Sequence, residues 1–396
     1  MHQVKRIYLD HAATTPVRPE VLSAMMPAFT TVFGNPSSLY QSGLQAHQLM
    51  ENARAKIADC IGADSTEIYF TSCGTESDNW AIKGAAQSHQ GKGRHMVTSA
   101  IEHHAVLHAF DALAKQGFEI TKLPVDADGL LDPEAVRSAI RDDTILVSVM
   151  MANNEIGVIQ PIEEIAAICR SNQVLFHTDA VQAGGALPID AHRMGVDLMS
   201  FSGHKLYAPK GVGALYIRRG VRIANFFDGG AQERNRRGGT ENVPAITGFA
   251  RAFELAIQEM EENSRQLIEL RDALIDGILT RIPHTRLNGH PTRRLPNNVN
   301  VSIEFIEGEA ILLMLDQLGY ECSSGSACTS GALDPSHVLL ALGLPHEIAH
   351  GSLRVTFGRS NTMDDVNRLI DDLEIVVRRL REMSPLYNEN IFSVQN

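Results

Sequence analysis

The sequence predicts an α/β fold built on a mainly parallel seven-stranded β-sheet, with a smaller α+β domain beside it. Short apolar runs of strand length alternate with amphipathic stretches of helix length through the first part of the chain. Such alternation is typical of a parallel sheet covered by helices on both faces. The 396 residues also exceed what one simple core holds, and they suit about two domains.

The elements of the large domain follow one another in regular order. A short strand is predicted at 6–9, and helices are predicted at 17–30 and 44–60. The seven sheet strands are predicted at 67–71, 96–99, 119–124, 145–151, 174–178, 197–201 and 213–217. The helices between them are predicted near 75–86, 103–116, 132–141 and 161–171. We assign residues 16–253 to this domain.

The small domain is assigned residues 1–15 and 254–396. A long helical stretch from Pro244 to Ile282 could bridge the two domains. It is followed by predicted strands at 298–303 and 353–357 and a predicted helix at 307–318. The final helix is predicted to begin at Thr362, which has capping-box spacing to Asp365, and to end near Met383.

Composition excludes several classes of protein. The net charge of −12 argues against a nucleic-acid binder, because phosphate backbones require a basic surface. No signal peptide begins the chain and nowhere do 18 apolar residues run together, so we expect no membrane association and a cytoplasmic location. The five cysteines contain no Cys-x-x-Cys pair, which excludes a disulfide framework and a zinc ribbon.

The carboxyl ends of five predicted strands carry groups able to do chemistry. In open α/β sheets, ligands bind beyond these strand ends. The residues concerned are Gly74 and Thr75, Glu102 to His104, Asn153 to Glu155, Asp179 with Gln182, and Ser202 to Lys205. We therefore expect one binding site at this edge of the sheet.

Lys205 follows a strand directly and stands beside His204 in a Ser/Gly turn, which makes it a candidate Schiff-base amine. A solvated surface lysine is the ordinary alternative. Asp179 precedes Lys205 by 26 residues, which is the chain spacing of one crossover to the next strand of the sheet.

The strand–turn–helix around Gly74 and Thr75 has two interpretations. It is either an anion site at a helix N-terminus, or an ordinary turn in which Thr75 and Asp78 form a capping box. A lysine, an acid and a phosphate site together are what pyridoxal 5'-phosphate requires, and a planar side chain such as His103 can lie on its ring.

Two of the cysteines, Cys322 and Cys328, flank Ser/Gly residues near the end of the chain. Small neighbours favour an accessible thiol, which sulfur transfer to another protein requires. A Cys-x5-Cys metal pair and two inert small residues are the alternatives. Cys60 and Cys169 lie on predicted helix faces, and we expect them to be buried.

Motifs distributed over nearly the whole chain resemble those of the cysteine desulfurases of the NifS/IscS type. They are residues 8–15 (YLDHAATT), 34–38 (GNPSS), 71–78 (TSCGTESD), 153–157 (NNEIG), 177–182 (HTDAVQ), 203–205 (GHK) and 323–331 (SSGSACTSG). Residues 232–234 and 331–338 resemble the NifS branch most. One departure is Gly203, where many relatives carry Ser, and it removes a hydroxyl contact to phosphate.

The resemblance implies a homodimeric fold-type-I enzyme that uses pyridoxal 5'-phosphate and converts L-cysteine to L-alanine. The sulfur would pass as a persulfide to an iron–sulfur scaffold or another acceptor. Selenocysteine lyase and other pyridoxal-phosphate lyases or aminotransferases are the alternative activities.

The resemblance also assigns roles to individual residues. Lys205 would hold the cofactor, Asp179 would pair with its ring nitrogen and Gln182 would meet its phenolic oxygen. His103 would stack on the ring and act as an acid/base group, and Cys328 would be the nucleophile. The phosphate would be held by Gly74, Thr75, Ser202 and His204, with Thr240 from the partner subunit, and the substrate carboxylate by Asn154 and Arg354.

Three alternative interpretations have less support. Residues 346–350 (HEIAH) match the zinc-protease signature, but Pro345 and Gly351 confine them to one helical turn and no third ligand motif follows. His104 and His108 could share a helix face as metal ligands, or be solvated. A non-enzymatic scaffold protein would not need Lys205, Asp179 and Cys328 together.

Overall fold

The structure is a computed structural model that describes residues 6–324 and 335–387. In chain order, the strands of these residues are β1 (Ile7–Tyr8), β2 (Ile68–Thr71), β3 (His95–Ser99), β4 (Glu119–Leu123), β5 (Thr144–Ser148), β6 (Leu175–Asp179), β7 (Leu198–Ser202), β8 (Gly213–Ile217), β9 (Thr285–Leu287), β10 (Asn298–Ile303), β11 (Tyr320–Glu321) and β12 (Ser352–Thr356).

The helices of the same residues, again in chain order, are α1 (Pro19–Thr30), α2 (Gln41–Cys60), α3 (Gly74–His89), α4 (His104–Ala114), α5 (Pro133–Ala139), α6 (Ile162–Ser171), α7 (Ala191–Met194), α8 (Gln232–Asn235), α9 (Val243–Gln258), α10 (Met260–Arg281), α11 (Gly308–Leu318), α12 (His337–Ala341), α13 (His346–His350) and α14 (Met363–Met383). None of them is long and apolar enough to cross a membrane.

The predicted α/β class and its seven-stranded sheet are confirmed. The strand order is β2-β8-β7-β6-β5-β3-β4, and only β8 runs antiparallel to its neighbours. Strands buried on both faces hold successive side chains in different cores. On β7, Leu198 packs into the core that contains Trp80 of α3, whereas Met199 packs into the core on the other face of the sheet.

A separate apolar core lies beneath the second group of strands. It joins the three-stranded sheet β12-β10-β9 and the pair β1-β11 to helices α10, α11 and α14. Ile7 and Leu9 belong to this core although they lie at the start of the chain. The domain boundaries at 16 and 253 stay a prediction. The capping box of Thr362 and Asp365 at the start of α14 is confirmed.

The helical stretch predicted from Pro244 to Ile282 is not one helix. It breaks at Glu259, so that α9 ends at Gln258 and α10 begins at Met260. The Glu259 carboxylate lies 2.8 Å from Arg18 Nη1 and 3.0 Å from Arg359 Nη2. These two ion pairs tie the break to distant parts of the chain, which helical periodicity does not reveal.

The capping box predicted at Thr75 and Asp78 is wrong. Helix α3 already begins at Gly74, and Cys73 is the residue that precedes it. Glu76 in the first turn accepts hydrogen bonds from Ser72, with its Oε2 2.8 Å from the Ser72 backbone nitrogen. Thr75 and Asp78 are therefore inside the helix, and their side chains are available to the cleft described below.

Candidate active site

A cleft of about 410 Å³ opens at the carboxyl ends of the sheet strands. Ten predicted site residues line it: Gly74, Thr75, His103, Asn154, Asp179, Gln182, Ser202, His204, Lys205 and Arg354. Thr240 is exposed and does not line this cleft. Cys328 lies outside the described residues. The structure therefore brings together nearly all of the predicted set.

Lys205 ends a short 3-10 turn that follows β7, and its amine points into the cleft. Its Nζ donates hydrogen bonds to the carbonyl oxygens of Ala12 at 2.6 Å and Ala13 at 2.8 Å. Thr15 fixes the same N-terminal segment to the turn, because its backbone nitrogen donates to the His204 carbonyl at 2.9 Å. The turn and the N-terminal segment together hold the amine in place.

Asp179 is the last residue of β6 and is almost fully buried in the cleft. Its Oδ1 accepts the Val181 backbone N–H at 2.9 Å. Burial raises the pKa of Asp179 to about 6, although the Val181 N–H and the Lys205 charge oppose this rise. Gln182 lies one turn further on, and its Nε2 donates to the Ala12 carbonyl at 3.1 Å. A protonated ring nitrogen opposite Asp179 would stabilise its charged form.

The N-terminus of α3 forms one wall of the cleft. The first N–H groups of a helix have no partner within the helix. Ser202 Oγ is buried there and has no hydrogen-bond partner among the described residues. A Cβ on Gly74 would come within 2.8 Å of Val181 Cγ2 and 3.2 Å of Ser202 Cβ, so only glycine fits. This wall suits a phosphate dianion.

His103 stands at the N-cap of α4, where its Nδ1 accepts the Ala105 N–H at 3.1 Å. Burial and then the charge of Lys205 lower the pKa of His103 to about 4. The same two causes lower the pKa of His204 to about 4. Both imidazoles are therefore neutral at neutral pH, and His103 is placed to accept a proton from a ligand in the cleft.

Arg354 on β12 is buried and already has a carboxylate partner. Its Nη2 lies 2.7 Å from Asp10 Oδ1, and its Nη1 donates to the Asn154 carbonyl at 3.1 Å. A substrate carboxylate bound by Arg354 would share the guanidinium with Asp10. The sequence analysis did not assign Asp10 to the site, since the pair joins residues 344 positions apart.

Residues on both sides of the segment 325–334 are attached to the cleft. Before it, the Ser323 backbone exchanges hydrogen bonds with the Arg354 backbone at 2.6 and 3.2 Å. After it, the Ser336 hydroxyl donates to the Glu155 carboxyl group, and His337 Nε2 donates to the Glu102 carbonyl at 2.9 Å. The described residues on both sides of the segment that contains Cys328 therefore lie beside the cleft.

The other cysteines are in different environments. Burial raises the pKa of Cys322 to about 12, and it does the same for Cys169 and Cys60. The predicted burial of Cys169 is confirmed, whereas Cys60 is only half-buried. Cys73 lines the cleft, although the sequence analysis gave it no role. The high pKa makes the thiols of Cys60, Cys169 and Cys322 poor nucleophiles, because the thiolate is the reactive form.

Three more buried carboxyl groups lie in the cleft or next to one of its residues, and the sequence analysis gave none of them an individual role. Asp78 and Glu155 line the cleft, and Glu102, which precedes His103 in the chain, is fully buried. Burial raises the pKa of Glu102 to about 8 and that of Glu155 to about 7. Glu102 and Glu155 had been predicted to lie at the site because they follow strands, whereas Asp78, which lies in α3, had been interpreted as a capping residue.

Comparison with known proteins shows what the whole chain is similar to. The family model described as aminotransferase class-V matches residues 7–369. A protein named cysteine desulfurase IscS from Methanosarcina thermophila is 58% identical over 96% of this chain and 94% of its own length. One named cysteine desulfurase NifS from Azotobacter vinelandii is 47% identical over 97% of this chain and 96% of its own. A solved structure named NifS-like protein is 38% identical, covers 95% of this chain and 100% of its own, and has a TM-score of 0.89.

Proposed function

The chain belongs to the class-V aminotransferase family, and from this premise we propose that it is a cysteine desulfurase that uses pyridoxal 5'-phosphate. One observation carries the proposal. The cleft contains a half-buried lysine, a buried acid and a helix N-terminus, and the described residues next to both ends of the segment 325–334, which contains Cys328, are bonded to its walls.

The described residues fit the cofactor. Lys205 would hold it covalently, Asp179 would pair with its ring nitrogen, and Gln182 would meet its phenolic oxygen. The N-terminus of α3, with Gly74 and Thr75, would take the phosphate together with Ser202 and His204. When bound, the cofactor supplies an electron sink for the substrate. His103 would lie on the ring and move a proton at the substrate.

L-Cysteine is the proposed substrate. Arg354, positioned by Asp10, and Asn154 would orient its carboxylate. The Cys328 thiolate would attack the substrate sulfur, so that the carbon–sulfur bond breaks and a sulfur–sulfur bond forms. The products are L-alanine and a persulfide on Cys328, which accounts for every atom of L-cysteine and the enzyme thiol. An iron–sulfur scaffold or another acceptor would then take the sulfur.

Incubation of the holoenzyme with L-cysteine tests this function. We expect L-alanine to accumulate, and mass spectrometry to show one added sulfur atom on Cys328. A selenocysteine lyase would prefer the selenium substrate strongly over L-cysteine, and an aminotransferase would need an oxo-acid acceptor. Formation of a keto product from L-cysteine without release of alanine would contradict the proposal.

We propose that the enzyme works as a homodimer in the cytoplasm. Seven large apolar side chains on or between α1 and α2 are exposed, a concentration that is typical of an interface. They are Leu22, Met26, Phe29, Phe33, Leu39, Tyr40 and Leu44. Thr240 is exposed outside its own cleft, as a residue that serves a partner's cleft must be. Sedimentation at twice the chain mass of 43.3 kDa tests the dimer.

Replacement of Asp179 by asparagine should abolish most of the activity while the fold persists. An amide of the same size cannot provide the negative charge opposite a protonated ring nitrogen, so we expect the rate of alanine formation to fall at least about 100-fold. Asp190→Asn is the matched control, because Asp190 caps α7 and does not line the cleft. Near-normal turnover by Asp179→Asn would show that another group holds the ring nitrogen.

A further inference from the structure

Two histidines on α4 lie side by side at the wall of the cleft, and the proposed function gives neither of them a role. His104 is the first residue of α4 and lines the cleft, and His108, four positions later, is exposed. Residues with this spacing lie on the same face of a helix. The sequence analysis left open whether this pair binds a metal ion or is solvated, and the structure now gives the geometry of the two rings.

The separation of the two imidazoles is the one that a shared metal ion requires. A Zn–N bond is about 2.0–2.1 Å long, so two imidazoles on one tetrahedral ion have ring centroids about 5 Å apart. The ring centroids of His104 and His108 are 5.1 Å apart, with 52° between the ring planes. Two histidines four residues apart on a helix are also the known arrangement in which one helix face binds zinc.

Neither ring is bound to another polar group. Within residues 6–324 and 335–387, no hydrogen bond is made by the imidazole of His104 or of His108. Burial and then the charge of His108 lower the pKa of His104, so its ring is neutral at neutral pH. The neutral imidazole is the form that binds metal ions. The pair therefore offers ring nitrogens that are available to an ion.

A third imidazole lies on the other side of His104. The ring centroid of His337 is 4.7 Å from that of His104. However, His337 Nε2 donates a hydrogen bond to the Glu102 carbonyl at 2.9 Å, so one of its ring nitrogens is already in use. Both ring nitrogens of His108 lack such a bond. His108 is thus the better second ligand, although His337 is close enough to require a test.

The chemistry of the donors determines the class of ion. Imidazole nitrogen suits Zn²⁺, Ni²⁺, Cu²⁺ and Fe²⁺, whereas Mg²⁺, Ca²⁺ and Mn²⁺ prefer oxygen ligands. The pair itself contains no carboxylate. The acidic residue of α4, Asp111, lies 2.8 Å from Lys122 Nζ and is paired with that amine. Two nitrogen ligands without a carboxylate favour a transition-metal ion over a hard cation.

We propose that His104 and His108 form a two-histidine site for a divalent transition-metal ion at the wall of the cleft, with water in the remaining coordination positions. Since His104 lines the cleft, an ion in this site would border the volume that a ligand of the cleft occupies. The site is independent of the proposed function, because neither histidine is assigned to the cofactor or to the substrate.

Calorimetric titration of the holoenzyme with Ni²⁺, in the absence of L-cysteine, tests the site. We expect saturable binding in the wild-type protein, and a dissociation constant at least about tenfold higher in His108→Gln, because that variant removes one of the two ligands. His108 is exposed, so the substitution should not disturb the fold, and equal melting temperatures would show this. Mn²⁺ should bind the wild-type protein at least about tenfold more weakly than Ni²⁺.

Two other histidines provide matched controls, because each belongs to a group that could also bind an ion. His346 has the same spacing to His350 on α13. His192 has a ligand atom within 4.8 Å of those of Asp64 and Glu67. We expect His346→Gln and His192→Gln to bind Ni²⁺ as tightly as the wild-type protein does.

Three results would overturn the proposal. They are the absence of saturable Ni²⁺ binding in the wild-type protein, an unchanged dissociation constant in His108→Gln, and preference of the wild-type protein for Mn²⁺ over Ni²⁺. A loss of affinity in His337→Gln without one in His108→Gln would place the ion between His104 and His337 and would equally contradict the assignment. Failure to bind pyridoxal phosphate would contradict the proposed function instead, and the titration would still decide the metal site.

Discussion

Lys205→Ala should leave the protein folded but without a covalently held cofactor, and its rate of alanine formation should fall about 1000-fold or more. Lys205 is the only lysine among the described residues that line the cleft. Its amine is also the donor to the Ala12 and Ala13 carbonyls, so the change removes both the nucleophile and the group that orients that segment. No other described side chain of the cleft has an amine to replace it.

Borohydride reduction of the holoenzyme followed by peptide mapping measures this directly. We expect the reduced cofactor on the peptide that contains Lys205, and no labelled peptide from Lys205→Ala. Lys210→Ala is the matched control, because Lys210 lies in the same loop but is exposed and does not line the cleft. A label on Lys210 in the wild-type protein would contradict the assignment of Lys205.

The large sheet could be predicted because its strands are short, apolar and regularly separated by helices. Every predicted strand of this sheet forms within three residues of its expected bounds. Placing Lys205, Asp179 and Gly74 at strand ends was enough to place them in one cleft, since parallel strands end at the same edge of a sheet.

Features that depend on contacts between distant residues could not be predicted in this way. The break at Glu259 is tied to Arg18 and Arg359, and the pair of Arg354 with Asp10 joins the two ends of the chain. No local pattern contains these partners. The two-residue strands β1 and β11 pair only with each other, and strands of that length have too few residues to show alternation.

The position of Asp78 in the cleft was missed for a different reason. Thr75 and Asp78 have the spacing of a capping box, and a local rule with a good match was preferred to a contact across the sheet. The structure starts α3 at Gly74, so Asp78 lies inside the helix, where it lines the cleft and its Oδ1 is 3.6 Å from His177 Nε2. At a functional site, a local sequence pattern and the contacts of the folded chain can therefore predict different positions for the same residue.

Cys328→Ser should bind the cofactor and L-cysteine normally but lose nearly all turnover, by about 1000-fold or more. Serine preserves the size of the side chain, but its hydroxyl is not a soft nucleophile that attacks sulfur. Cys322→Ser is the matched control, because Cys322 lies six residues earlier, and burial raises the pKa of its thiol to about 12. That variant should retain most of its activity.

Mass spectrometry after incubation with L-cysteine decides between the two thiols. The wild-type protein and Cys322→Ser should each carry one added sulfur atom on Cys328, and Cys328→Ser should carry none. Ser323 and Ser336, the described residues near the two ends of the segment 325–334, are bonded to Arg354 and Glu155 at the cleft. A sulfur adduct on Cys322 or on Cys73, or undiminished turnover by Cys328→Ser, would contradict the proposed mechanism.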